Sequence, residues 1–138
     1  MALTCLADKS ALARLKHPAV AARLGPLLVG GDVATCSIVE LEVLFSARSY
    51  AELVKTRAMR RALPSLALAQ VDFDRALDVL EELARTDHHR SAGIPDLLIA
   101  ALAERHDLVL LHYDKDFDLI AKVTRQRTQW VVPAGSVP

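Results

Sequence analysis

The stretch IPDLLIAALAERHDLVLLHYDKDFDLIAKV, residues 94–123, decides how the chain folds. Its first part, Asp96 to Arg105, has helical composition and opens on LLIAALA, seven apolar residues in succession, so the helix it predicts is buried on nearly all sides. Leu108 to Leu111 follows, an aliphatic run long enough for a strand and too short for a helix. A second helical segment, Phe117 to Val123, comes soon after. Strands that alternate with helices imply right-handed crossovers and a mostly parallel sheet. In such sheets ligands bind beyond the carboxyl ends of the strands, and here that position holds Asp114 and Asp116.

The same alternation runs through the rest of the chain. Short apolar runs at Leu3 to Ala7, Val33 to Cys36, Leu66 to Val71 and Trp130 to Val132 predict four more strands. Helical composition marks Ser10 to Lys16, Ala19 to Leu24, Ile38 to Ser46, Tyr50 to Leu63 and Phe73 to Thr86, with Gly25-Pro26 expected to stop the second of these. The expected fold is a three-layer α/β/α sandwich around a five-stranded, mostly parallel sheet. With 138 residues, no repeat and no Pro/Gly-rich linker, residues 1–138 are expected to form one domain.

A composition 52% hydrophobic and 25% charged excludes disorder. No stretch approaches the roughly 20 apolar residues that would span a bilayer, so no membrane is expected. The start, MALTCLADKS, holds an acid and a base and does not read as a secretion leader, which predicts a cytoplasmic protein. Cys5 and Cys36 lack metal or redox spacing and read as packed thiols in buried strands. Net charge is zero, from 17 basic and 17 acidic residues, but unevenly: residues 1–70 hold 9 bases and 5 acids, residues 71–138 hold 8 and 12.

Several acids stand at predicted strand ends. Asp8 ends the first run, and Asp114 and Asp116 follow the fourth. Each has a structural reading as a helix cap or first-turn acid. Asp96 heads a buried helix, where a carboxylate is costly unless capped or met by a cation. Ser37 and Glu40 have capping-box spacing, which gives Glu40 a structural task. Glu42, past the first turn and pointing about 200° away from Glu40, is the functional candidate. Asp8, Glu42, Asp96, Asp114 and Asp116 in one crevice would repel one another unless protonated or neutralised. Oxygen donors without paired Cys or His ligands point to Mg²⁺ or Mn²⁺, and such a site suits phosphate chemistry.

The order of Asp8 in LADKSALA, Glu42 in IVELEVLFSAR, Asp96 in IPDLLIAALA and Asp114 and Asp116 in HYDKDFDLIA resembles PIN-domain ribonucleases, most closely the VapC-type toxins of bacterial toxin-antitoxin pairs. The match runs from Asp8 to about Ala121. The resemblance implies a five-stranded parallel sheet, an acidic pocket with one or two Mg²⁺ or Mn²⁺, and cleavage of transfer or ribosomal RNA. It implies catalytic roles for Asp8, Glu42, Asp96 and Asp114, with metal held by Asp8 and Asp96 and by Asp114 and Asp116, and Glu42 orienting or deprotonating the attacking water. It further implies a cognate antitoxin that covers helices and reaches the acidic cleft, and a homodimer. Lys9-Ser10 and His112-Tyr113 depart from the residues more usual at those places in the family.

Arg48, Lys55, Arg57, Arg60 and Arg61 face a lone acid, Glu52, across residues 48–61; they read either as phosphate contacts or as a solvated helix face. Leu53 and Leu63 make this helix a candidate for the antitoxin groove. His88 and His89 read as a surface turn, Trp130 as packing, and Tyr50 as a base-stacking candidate. Two rival readings stand. A phospho-receiver domain would need paired acids after the first strand and a lysine after the fifth, which are missing here; a non-catalytic scaffold of the same fold would not need the full acidic set.

Overall fold

A computed structural model describes residues 3–138. Its sheet has four parallel strands, β1 (Cys5–Ala7), β2 (Val33–Ala34), β3 (Val109–His112) and β4 (Thr128–Trp130), in the order β2-β1-β3-β4. Leu6 pairs with Ala34 on one side and Leu110 on the other, and Leu111 pairs with Gln129. The central strands β1 and β3 are almost wholly buried, which is why they read as unbroken aliphatic runs.

The connections are helical. β1 leads into α1 (Lys9–Leu12) and α2 (Pro18–Val29), and Gly31, at φ +75°, turns the chain into β2. Then follow α3 (Ser37–Phe45), α4 (Tyr50–Arg60), α5 (Gln70–Ala84) and α6 (Ile94–Arg105) before β3, and α7 (Asp116–Thr124) before β4. In α6 every residue from Leu97 to Ala103 is buried, as its apolar run predicts. It packs against α5, α7 and β3, with Phe117 and Ile120 of α7 also in the core. By contrast α4 has no buried residue.

Four expectations need correction. The run Leu66 to Val71 is not a fifth strand. Among the described residues the pairing here is one isolated bridge just before the run, Thr35 with Ser65, supported by Thr35 N–H to the Pro64 carbonyl at 2.8 Å and Leu66 N–H to the Thr35 carbonyl at 2.9 Å. Beyond that rung, Gln70 and Val71 already belong to α5, whose start is fixed by Asp72: its carboxylate accepts the Ala69 N–H at 2.8 Å and two Arg105 hydrogen bonds at 2.7 and 2.9 Å. Gly25-Pro26 does not end α2, which continues to Val29; Leu24 is fully buried and Leu27 and Leu28 pack on the core, so burial outweighs the penalty of an internal proline. The first helix is a single turn rather than a run to Lys16, because Asp8 caps it one residue earlier and the chain leaves at Ala13. Finally, Cys36 lies just past β2 and caps α3; both thiols are free and buried, as expected of packed cysteines.

Candidate metal centre

Asp8 sits where β1 becomes α1 and performs two tasks with its two oxygens. Oδ2 accepts the Ser10 N–H at 2.9 Å and the Ser10 hydroxyl at 2.6 Å, an N-cap of α1. Oδ1 is buried and has no hydrogen-bond partner among the described residues. The capping and chemical readings of this acid are therefore compatible. The Ser10 hydroxyl also accepts the Tyr113 N–H at 2.9 Å, tying this turn to the one after β3.

Glu42 projects from the second turn of α3, with Oε1 buried and unpartnered among the described residues. Burial, and then the Asp8 charge, push its carboxyl above the ordinary range against the opposing charge of Lys9. Asp96 is the third residue of α6, behind an N-cap, Gly93, that offers no side-chain oxygen. Burial and the charges of Asp8, Asp114, Glu42 and Asp116 push it up to about 7. Asp114 lies in the turn after β3, and its Oδ1 accepts the Asp116 N–H at 2.9 Å. Asp116 opens α7; burial and Asp114 raise its carboxyl, with Lys115 opposing.

These five acids come together as two groups that share a member. Ligand oxygens of Asp8, Glu42 and Asp96 lie within 4.8 Å of one another, and so do those of Asp96, Asp114 and Asp116. All the acids singled out in the sequence thus converge, with Asp96 at the centre. Like charges this close are stable only when protons or cations intervene. Two buried carboxylate oxygens without a donor, in an all-oxygen set, fit a hard divalent ion such as Mg²⁺ or Mn²⁺.

Glu40 is elsewhere and has a structural task, but not the expected one. Ser37 is inside α3, so no capping box forms. Instead Glu40 takes two 2.7 Å hydrogen bonds from Arg60 and one from the Thr35 hydroxyl. Burial pushes its carboxyl up, but the Arg60 and Thr35 hydrogen bonds and the Arg60 charge outweigh it and hold the group below its ordinary value. This removes Arg60 from the set of exposed bases. Arg57 and Arg61 instead border a groove of about 660 Å³ between α3 and α4, with Leu41, Leu44, Phe45 and Leu53.

The residues that support these acids leave a weaker mark in the sequence than the acids themselves. Ser10 was visible as Asp-x-Ser spacing. His112 had no local signal: it is fully buried beside Phe117 and Trp130, burial holds its ring below the ordinary value, and Nδ1 accepts the Asp114 N–H at 3.2 Å. These two contacts stand at the positions where the sequence departs from the family's usual residues. Trp130, read as packing, also donates from Nε1 to Asp118 at 3.1 Å.

Comparison with known families matches residues 6–123 to the PIN domain. Ribonuclease VapC51 of Mycobacterium tuberculosis is 45% identical over 137 residues, 99% of each chain. Ribonuclease VapC21 of the same organism is 44% identical over 132 residues, 95% of this chain and 96% of the relative. Among solved structures, the DNA-bound VapBC from Salmonella typhimurium aligns with a TM-score of 0.75 at 20% identity, covering 94% of this chain and 99% of that one, a likeness of fold.

Proposed function

The chain belongs to the PIN domain family, among its VapC ribonucleases, and from that premise we propose that it is the toxin of a toxin-antitoxin pair, a Mg²⁺- or Mn²⁺-dependent endoribonuclease acting on transfer or ribosomal RNA. The observation that carries the reading is the double carboxylate group centred on Asp96, with Asp8 Oδ1 and Glu42 Oε1 buried and lacking donors among the described residues.

In this reading Asp8 and Asp96 would hold the principal ion, and Asp114 and Asp116 would complete its shell or hold a weaker second one with Asp96, the acid common to both groups. Such an ion, when bound, supplies Lewis acidity: it lowers the pKa of water and offsets charge gathering on the phosphate oxygens. Glu42 orients the attacking water and accepts its proton, a role suited to a carboxyl raised above its ordinary range. The water oxygen bonds to phosphorus in line, the bond to the 3′ oxygen breaks, that oxygen takes up a proton from solvent, and the products carry 5′-phosphate and 3′-hydroxyl ends. Ser10 and His112 act through Asp8 and Asp114, holding the turns that present them.

The partners follow the same reading. An antitoxin segment would cover the α3–α4 groove, where Leu41 and Phe45 are exposed at 69% and 91% and Arg57 and Arg61 offer positive charge. A homodimer, a cytoplasmic location and one three-layer domain over residues 1–138 belong to the proposal as well; no helix of the described residues is long and apolar enough to cross a membrane.

The test is incubation of the purified chain with transfer and ribosomal RNA, with Mg²⁺ or with a chelator, followed by mapping of 5′ ends. Discrete cuts that need the ion and vanish in Asp96→Asn are expected. Intact RNA with Mg²⁺ present would favour a scaffold that only binds.

A further inference from the structure

Lys9 stands between the acidic crevice and a second hollow. It is the residue after Asp8, the first of α1, and half-buried. Its charge reaches Glu42, where it opposes burial and Asp8. Even so, among the described residues no carboxylate comes within 4.0 Å of its ammonium. On its other side Lys9 borders a hollow of about 230 Å³ between α1, the end of α3 and α4, walled by Leu12, Leu15, Val43, Ser46, Thr56 and Met59. The other cation of this wall, Arg60, is held by Glu40.

An ammonium beside a carboxylate crevice, with no carboxylate partner of its own among the described residues, is free to meet an anion brought from outside. The hollow beside it is smaller than the roughly 300–1,000 Å³ of drug-sized sites, a scale suited to one nucleoside. Its walls are largely apolar, with the Thr56 hydroxyl able to donate or accept. Two of its lining residues, Val43 and Lys9, are the chain neighbours of Glu42 and Asp8, so the hollow and the crevice are built from the same two segments.

We infer that Lys9 and this hollow form a nucleotide subsite of the RNA substrate: the ammonium contacts the phosphate neighbouring the scissile one, and the attached nucleoside enters the hollow. The inference rests on the ribonuclease reading and adds to it a substrate contact outside the metal-binding acids.

Steady-state cleavage of labelled total transfer and ribosomal RNA by the full chain in Mg²⁺ tests it, with Lys9→Gln, Lys9→Arg and Thr56→Met as variants. Lys9→Gln should raise KM about tenfold, the scale of one charge-assisted contact, with kcat changed far less. The dependence of log kcat/KM on log salt should become shallower by about 0.7, one phosphate contact on a single strand. Lys9→Arg should restore most of the KM. Thr56→Met, which fills the hollow without changing charge, should raise KM and keep the salt slope. Mg²⁺ binding by Lys9→Gln, followed calorimetrically, should be equal to or tighter than that of the parent. A cleaving parent whose Lys9→Gln variant keeps its KM and salt slope overturns the subsite alone, the result expected if the hollow instead receives a protein segment. A Lys9→Gln variant that loses kcat at constant KM also overturns it, placing the effect in Glu42. A parent that leaves RNA uncut overturns the subsite together with the ribonuclease reading.

Discussion

Ser10 meets one oxygen of Asp8 twice, with its N–H at 2.9 Å and its hydroxyl at 2.6 Å, and thereby leaves the other oxygen to the crevice. Its hydroxyl accepts the Tyr113 N–H as well, so it joins the two turns from which Asp8 and Asp114 project. Ser10→Ala keeps the backbone bond and removes both hydroxyl contacts. We expect a loss of roughly 1 kcal/mol in stability and of about 10–100-fold in kcat, the usual cost of losing a group that orients a metal ligand. Thermal melts and single-turnover cleavage check the two effects separately.

Asp96 is the acid common to both carboxylate groups, and its removal should have opposite effects on activity and on metal-free stability. Asp96→Asn keeps the shape of the side chain and removes a charge pressed by four neighbouring acids. Cleavage should fall by more than about 100-fold, beyond the loss seen for supporting residues. Without metal, the variant should melt a few degrees higher at pH 8, about 1 kcal/mol corresponding to ~3–5 °C at this chain length. A metal-free melting point below that of the parent would contradict this account of the crevice.

The same residue sets a pH dependence. Its carboxyl moves from 3.8 to about 7 on folding, so between these values the folded protein keeps a proton that the unfolded chain has released. Its contribution is therefore most favourable below the unfolded value and is lost as pH rises through about 7. The difference in metal-free stability between Asp96→Asn and the parent should grow over this window and then level. Mg²⁺ replaces the proton, so binding near pH 6 should release protons, and stabilisation by Mg²⁺ should increase with pH. Calorimetry in buffers of different ionisation enthalpy measures the release directly.

Glu42 tests the division of labour within the crevice. Glu42→Gln should lower kcat by about 10²–10⁴-fold, the range for a lost general base, while leaving Mg²⁺ able to bind through Asp8 and Asp96. A variant that cleaves normally once Mg²⁺ is raised would move Glu42 from proton acceptor to metal ligand.

Asp8 and Asp114 were legible because strand-end position is a local property, an aliphatic run followed by Asp, whereas Asp96 and Glu42 stood out as carboxylates in nearly all-apolar helices. What holds them was less so, since partners far apart in sequence carry no local mark. Arg60 reaches Glu40 across 20 residues and Ser10 reaches Tyr113 across 103. The apolar run of residues 66–71 resembles a strand, but strand formation needs a second backbone in register, and Gln70 onward belongs instead to α5, which Asp72 and Arg105 anchor. Gly25-Pro26 shows the converse, a strong local stop overridden because the residues beyond it still had core to cover.

The ion pair of Glu40 and Arg60 gives the last prediction. No residue of α4 is buried, and Arg60 connects this helix to α3 through two 2.7 Å hydrogen bonds, with side chains only 24% and 14% exposed. Arg60→Ala strands a half-buried carboxylate and should cost about 3 kcal/mol; Arg60→Lys, lacking the two-pronged geometry, should recover only part of it. Because the pair depresses the Glu40 carboxyl, its stabilisation is present above the ordinary carboxylate value and is lost as pH falls through the lowered one, so the deficit of Arg60→Ala should shrink in acid. Hydrogen exchange should show faster opening concentrated in residues 50–60. If Arg60 were instead a phosphate contact, Arg60→Ala would flatten the salt dependence of cleavage; with Arg60 committed to Glu40, that slope should stay as in the parent.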